Sequence, residues 1–412
     1  MVRKGVDVHD RRMRRVEHAR TATRAPSDHR PEVDPSTRGP LVRPFPGLRY
    51  VPSVAGPLAS LLAPPHTELD RASRRALLAS SPYVVTHLER PEYDPGPGRA
   101  VTRWSAQGAL VQDAPGFYVV RQEQEGRSQH FLLGQLDVRV GDDRVHAHEG
   151  VFQQAVEARL ERLEATGVDS EPVLVVDSHP WPVPWTDPST VGHLLDVADD
   201  DLRHVEVWGL HDPDVVARLS SASASHRFLI ADGHHRHAAV LRAAQRDGAP
   251  RSLLVAVADD TTEPVDLRAL HRIVPRAVAE EVLRRAHRRR DVDDEDVTAL
   301  RGAIEGLGLD QALVVTGSSA AVIDCPPMVG PTTGSGAWVD SVALSLGTAS
   351  SETRYRADVE GMMRPPEDRG AVFLPKPQIG ALQEMVRRGQ VLGRKTTSFR
   401  PKPLAGTVLR LR

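Results

Sequence analysis

Apolar positions along this chain switch repeatedly between a period of two and a period near three and a half. Alternation over 117–121 and 131–138, bounded by polar breaks, predicts half-buried strands. From residue 146 the run HAHEGVFQQAVEARLERLEATG sets Phe152, Val156, Leu160 and Leu163 at helical spacing, with Gly167 as a C-cap. His148 and Glu149 are thereby expected at a helix N-terminus. A continuous apolar run over 172–176 predicts a buried strand, followed by a Pro- and Trp-containing loop around 181–185 and a strand at 204–210. Next comes FLIADGHHRH, residues 228–237, read as a strand over 228–230, a turn at Ala231-Asp232-Gly233 and a helix over 234–246. A strand at 253–258 would complete a strand–helix–strand unit. Upstream, order is expected from Leu41, with a short helix over 70–78. Downstream, the pattern gives a charged helical stretch over 280–296, a Pro/Gly/Ser/Thr loop over 326–336 and a strand at Phe373. A helix over 381–388 and a last strand over 406–411 end the chain. No repeat of solenoid length is present. This alternation of strands and helices predicts an α/β (α+β) fold.

Four segments follow. Residues 1–40 are rich in Arg, Asp, Glu, Pro and Thr without apolar periodicity, and read as a disordered basic tail that includes RRMRR; Met13 within it offers an alternative start. Residues 41–140 form an N-terminal α+β segment, 141–260 a core, and 261–412 a C-terminal α/β segment packed on that core.

Composition narrows the classes. At 412 residues the chain is long enough for a large core, and its 40% hydrophobic and 26% charged residues are ordinary for a globular protein. A net charge of -2 gives no whole-molecule field that would call for nucleic acid or an anionic membrane. A single cysteine excludes an internal disulfide framework and points to a reducing, cytoplasmic setting. Apolar runs are strand-length, short of a bilayer span. Lysine occurs only at positions 4, 376, 395 and 402, against a background in which arginine supplies nearly all positive charge.

The chemistry concentrates in Asp-Gly-His-His-Arg. A strand that runs through Asp-Gly into a helix leaves the first backbone amides unpaired, and with the helix dipole these attract phosphate or carboxylate. Gly233 permits the sharp turn and close ligand approach. Arg236, one turn in, has the geometry to fork onto phosphate oxygens. His234 and His235 add donors, and Asp232 adds a carboxylate for a metal or substrate amine. Asp-Gly is also a common turn and Asp a good N-cap, so the same residues could simply start a helix. Adjacent histidines project to different sides of a helix, which argues against zinc at His234, His235 and His237. Neither GxxxxGK[ST] nor GxGxxG after a strand is present, and Cys325 has no base nearby in sequence.

These segments resemble the bacterial domain of unknown function 1015 family over about residues 41–412. The matching stretches are RPFPGLR (43–49), SPYVVTHLERPE (81–92), HE (148–149), IADGHHR (230–236), HR (271–272) and KTTSFRPKPLAGTVLR (395–410). The HE…DGHHR block also looks like a ParB/sulfiredoxin-like mixed-sheet core of the kind found in free-serine kinases. That resemblance implies phosphoryl transfer from ATP or ADP to a hydroxyl. Glu149 would be the base, Asp232 and His234 would be catalytic, and Asp232 would orient Mg2+. Gly233, His235, Arg236, Lys395, Thr396, Ser398 and Lys402 would line the nucleotide phosphates, and His148, His271 and Arg272 are further candidates. ParB-type relatives use a similar cradle for CTP, so a nucleotide-gated switch without turnover, acting as a homodimer, is the alternative. Cysteine is absent from the turn, which argues against sulfiredoxin chemistry. The chain departs from the family pattern at Val151, Ala155 and Ala158, where polar residues are usual, and at Ala63-Pro64-Pro65-His66-Thr67-Glu68. His204 and Trp208 are also four apart rather than three.

Overall fold

The computed structural model describes residues 39–65, 68–89, 97–124, 126–200, 203–317, 319–349 and 352–412. The basic stretch 1–38, His66 and Thr67, and the end of the 81–92 segment lie outside the described residues.

The period-two segments assemble into one mixed sheet, nine-stranded among the described residues. Its order from one edge is Val145–Ala147, Phe228–Asp232, Val173–Asp177, Arg251–Asp259, Arg127–Val138, Phe117–Gln124, Arg203–Leu210 and His193–Asp200. Val42–Arg43 adds onto Arg127–Val138, so strands from both sides of residue 140 share this sheet. Two pairs are parallel, Phe228–Asp232 with Val145–Ala147 and Arg251–Asp259 with Val173–Asp177; the others are antiparallel. The fold is therefore mixed α/β. Alternate residues feed two cores: Val173, Val175, Phe228, Ile230, Val255 and Val257 face one, while Leu174, Val176, Leu229, Leu254 and Ala256 face the other. Helices Gln153–Thr166 and His234–Asp247 supply Val156, Leu160, Leu163, Ala239, Val240 and Ala243 to the first core. The second is closed by N- and C-terminal segments through Phe45, Trp104, Phe399 and Leu409. A separate six-stranded antiparallel sheet carries residues 271–373.

Several expectations change. Strands Phe228–Asp232 and Arg251–Asp259 are not neighbours; Val173–Asp177 lies between them, antiparallel to one and parallel to the other, so the helix joining them is not a parallel crossover. Part of the stretch over 280–296 is the edge strand Arg288–Val292, because helix Arg276–Arg285 has already buried Val278, Ala279 and Val282. The stretch read as a loop over 326–336 ends in the start of helix Ser335–Ser345, whose Trp338, Val339 and Val342 are buried. His193–Asp200 is a strand that the polar pattern concealed. Gly167 caps its helix in the left-handed conformation, as expected, with its amide donating to the Leu163 carbonyl at 3.1 Å.

The chain's end is tied to the main sheet by a buried ion pair. Arg410 donates to Asp169 Oδ2 at 3.0 and 2.7 Å and to the Ser252 carbonyl at 2.8 Å, while the Leu254 amide donates to the same carboxylate at 3.0 Å. Asp169→Ala leaves a buried guanidinium uncompensated and should cost about 3–5 kcal/mol. Urea unfolding measures this; a loss below about 1 kcal/mol would show that the pair is not a tie.

Candidate functional site

The HE segment is not the first turn of a helix. Helix Gln153–Thr166 begins four residues after Glu149, and residues 148–150 instead form a bridge with Leu392: the Leu392 amide donates to the His148 carbonyl at 2.8 Å. The helix dipole therefore does not account for an acid at this position.

What holds Glu149 is a loop 246 to 248 residues downstream. Oε1 accepts from the Thr396 amide (2.9 Å), the Thr397 amide (2.8 Å) and the Thr397 hydroxyl (2.6 Å); Oε2 accepts from the Lys395 amide (3.0 Å). Three consecutive amides can converge on one carboxylate because Lys395 has φ 51°, a left-handed conformation that turns the backbone into an anion-binding concavity. The Thr396 hydroxyl closes the loop on the Gly393 carbonyl at 2.7 Å. Arg272 supports it from below: fully buried, its guanidinium pairs with Asp340 at 2.8 and 3.0 Å and donates to the Arg394 carbonyl.

His148 is fully buried beside this carboxylate. Its Nδ1 donates to the Ile230 carbonyl at 2.7 Å, and its Nε2 lies 2.7 Å from the Thr397 hydroxyl. That hydroxyl has one proton and two acceptors in reach, Glu149 Oε1 and His148 Nε2. With the ring neutral and its proton on Nδ1, Nε2 is an acceptor and competes with Glu149 Oε1 for that one hydroxyl proton, which couples the imidazole, hydroxyl and carboxylate. Burial pushes the His148 imidazole below its ordinary range, opposed by the Glu149 charge and the Ile230 carbonyl. The His234 ring meets His148 edge-on, ring centres 4.7 Å apart and Nε2 to Nδ1 3.3 Å. His235 Nε2 accepts from the Phe152 amide at 3.1 Å. Contacts through His148 and Phe152 thus join the HE segment to the start of the DGHHR helix.

The helix start is as the motif suggests. Gly233 has φ 91°, and no side chain caps the first turn. A Cβ at Gly233 would also press to about 3.0 Å on the Arg236 guanidinium. Exposed Arg394 lies over the Phe152 ring at 3.6 Å, and exposed Lys395 has its ammonium 4.9 Å from the Tyr355 ring centre.

Other assignments change. Arg236 is 6% exposed; it pairs with Glu171 at 2.9 Å and Asp232 at 3.0 Å, and donates to the carbonyls of Glu171 and Pro172. Its charge is spent inside the protein, so it is not placed to fork onto phosphate. Lys402 is likewise committed, with Nζ 2.7 Å from Asp232 Oδ1. With a cation on each oxygen, Asp232 does not fit the role of a Mg2+ ligand, and no group of three or more metal-binding side chains occurs among the described residues. His271 and Arg272 are buried structural residues, His271 Nδ1 accepting from the Leu374 amide at 3.0 Å. Ser398 is buried opposite Arg268 in a strand pair. Thr397, Phe152 and Arg394 are the residues that the sequence did not single out. For Thr397 the available signal was its place in the Lys-Thr-Thr-Ser run.

His271 also sets an acid limit. Burial pushes it from 6.5 to about 4, while the unfolded chain takes up the proton near 6.5. Stability is then full above about pH 6.5 and falls as the pH drops towards 4, by on the order of 3 kcal/mol from this residue. His148 and His234, also held low by burial, add to the same slope. Urea midpoints across pH 8 to 4 should show the decline, reduced in His271→Gln; an unchanged slope in that variant would refute the assignment.

No curated protein matches this chain. Solved structures similar to it include a free serine kinase in complex with AMP, at 18% identity and a TM-score of 0.40, covering 68% of this chain and 91% of that one. A variant of free serine kinase in complex with ADP has 18% identity and a TM-score of 0.41, covering 68% and 92%. A conserved hypothetical protein from Pyrococcus furiosus has 18% identity and a TM-score of 0.39, covering 68% and 95%. The family model described as protein of unknown function (DUF1015) matches residues 42–334. The stretches 43–49, 148–149 and 230–236 fall within that match, the last two joined by the bond from His148 to the Ile230 carbonyl, and the chain belongs to the DUF1015 family.

Proposed function

We propose that this chain is a nucleotide-dependent small-molecule kinase that transfers a phosphoryl group from ATP or ADP to a hydroxyl, with Glu149 as the base. One observation supports this most directly: the two oxygens of Glu149 are loaded unequally. Oε1 takes three donors, whereas among the described residues Oε2 takes the Lys395 amide alone. A carboxylate oxygen accepts at two lone pairs, so Oε2 keeps a position for a substrate hydroxyl. The hydroxyl proton would pass to Oε2 as its oxygen bonds the terminal phosphorus, and the bridging P–O bond would break with its electrons leaving on the nucleotide. Amides that fix the carboxylate spare the reaction the cost of orienting it.

The phosphates in this reading meet the uncapped first turn after Gly233, with exposed Arg394 and Lys395 as cations in place of Arg236 and Lys402. The nucleotide class is the one held by the solved free serine kinases. The ParB/sulfiredoxin-like description of the core belongs to the same reading, and no step is routed through Mg2+.

A second reading, a CTP- or ATP-gated switch without turnover, is favoured by the mutual neutralisation of Asp232, Arg236 and Lys402. Thermal shift with ATP, ADP and CTP, with and without Mg2+, followed by phosphorus NMR with serine and other small alcohols, separates the readings. Glu149→Gln keeps the Oε1 contacts, and should retain the nucleotide-induced shift while losing turnover 10²–10⁴-fold. Nucleotide binding with dimerisation and no transfer in the wild type would select the switch. Full transfer by Glu149→Gln would refute the base.

A further inference from the structure

A cavity of about 230 Å3 opens where strand Val173–Asp177 ends and strand Phe228–Asp232 begins, beneath helix Ile379–Arg387. Its polar wall consists of His146, Ser178, His179, Arg227, Gln383 and Arg387, over a floor of Phe228 and Leu229. Every ionisable group in that wall is basic, and no carboxylate lines it. Arg227 forms no ion pair among the described residues, and Arg387 commits one guanidinium nitrogen to Glu384.

The wall is built from behind. Asp177 is wholly buried, and its Oδ1 accepts from both the backbone amide (3.0 Å) and Nδ1 (2.8 Å) of His179. Its other oxygen accepts from His226 Nδ1 at 2.6 Å, and the His226 and His179 rings stack with centres 5.2 Å apart. A buried carboxylate is costly unless its oxygens are hydrogen-bonded, and here it fixes the His179 ring so that Nε2 is the atom left for the cavity, a donor to an anion when it carries a proton. Gln383 donates to the Ser178 oxygen at 3.0 Å, which leaves the Ser178 proton available as a donor. Nε2 of His146 is buried and has no hydrogen-bond partner. Such an orphan costs free energy.

We propose that this cavity binds a compact oxyanion, a phosphate or a carboxylate, gripped by Arg227 and Arg387 and oriented by Ser178 and His179. Its volume lies below the range of about 300–1,000 Å3 usual for drug-sized ligands, as suits a compact ligand. The site is independent of the phosphoryl-transfer reading, since none of its wall residues contacts Glu149.

Isothermal titration of the full chain at low salt with inorganic phosphate, and separately with malonate, tests this. Saturable binding of at least one anion is expected, and the arm that binds more tightly identifies phosphate or carboxylate as the source. The double variant Arg227→Ala, Arg387→Ala should weaken binding at least tenfold, and His179→Gln should weaken it as well. Both arginines are exposed, so the double variant should keep the wild-type melting temperature without anion. Glu149→Gln should bind the anion as the wild type does, whatever its effect on nucleotide. No saturable binding of either anion, or undiminished binding by the double variant, would overturn the site.

Discussion

Three backbone amides and one hydroxyl on a single carboxylate organise the centre of this protein. Glu149 reaches the 395–397 turn across almost 250 residues of chain, and the hydrogen bonds are charge-assisted, the stronger kind. A loop of that length costs only modestly more entropy to close than a shorter one, so a few such bonds suffice to fix the C-terminal segment against the main sheet. The left-handed Lys395 and the buried Arg272 exist in this context to present the amides.

The same constraint explains why His148 is buried. Once Thr397 is fixed against Glu149, the imidazole beside it is held at one nitrogen by the hydroxyl and at the other by the Ile230 carbonyl. This links the last strand before Gly233 to the turn at 395–397, and brings the uncapped start of helix His234–Asp247 next to the HE segment. Below it, Glu171, Arg236, Asp232 and Lys402 compensate one another, so the charges in the DGHHR motif stabilise the scaffold rather than face a ligand. The basic cavity by His179 uses the opposite arrangement: its carboxylate lies behind the wall, and its cations remain in front.

Much of the fold is legible in the sequence because local pattern decides it. Leu229 and Ile230, or Val175 and Val176, must face opposite cores once they lie in strands, and Gly167 is a C-cap wherever the helix packs. Strand order is not written in this way: nothing in 228–258 says that Val173–Asp177 will slip between two strands joined by one helix. The charges of Arg288–Val292 suit an exposed helix face as well as an exposed edge strand, and only pairing with Ser319–Asp324 decides.

For the candidate site, the sequence by itself determined which residue types were on hand: an acid after a histidine, a glycine turn before a helix, and a lysine in an arginine-rich chain. Tertiary structure alone decided which of them face one another. A hydrogen bond depends on distances of about 3 Å between groups, here hundreds of residues apart, and a guanidinium is free or spent according to its neighbours in space. Arg236 and Lys402 therefore look like ligand contacts along the chain and are ion-pair partners in the fold, whereas Thr397, one hydroxyl in a polar run, stands between an imidazole and a carboxylate.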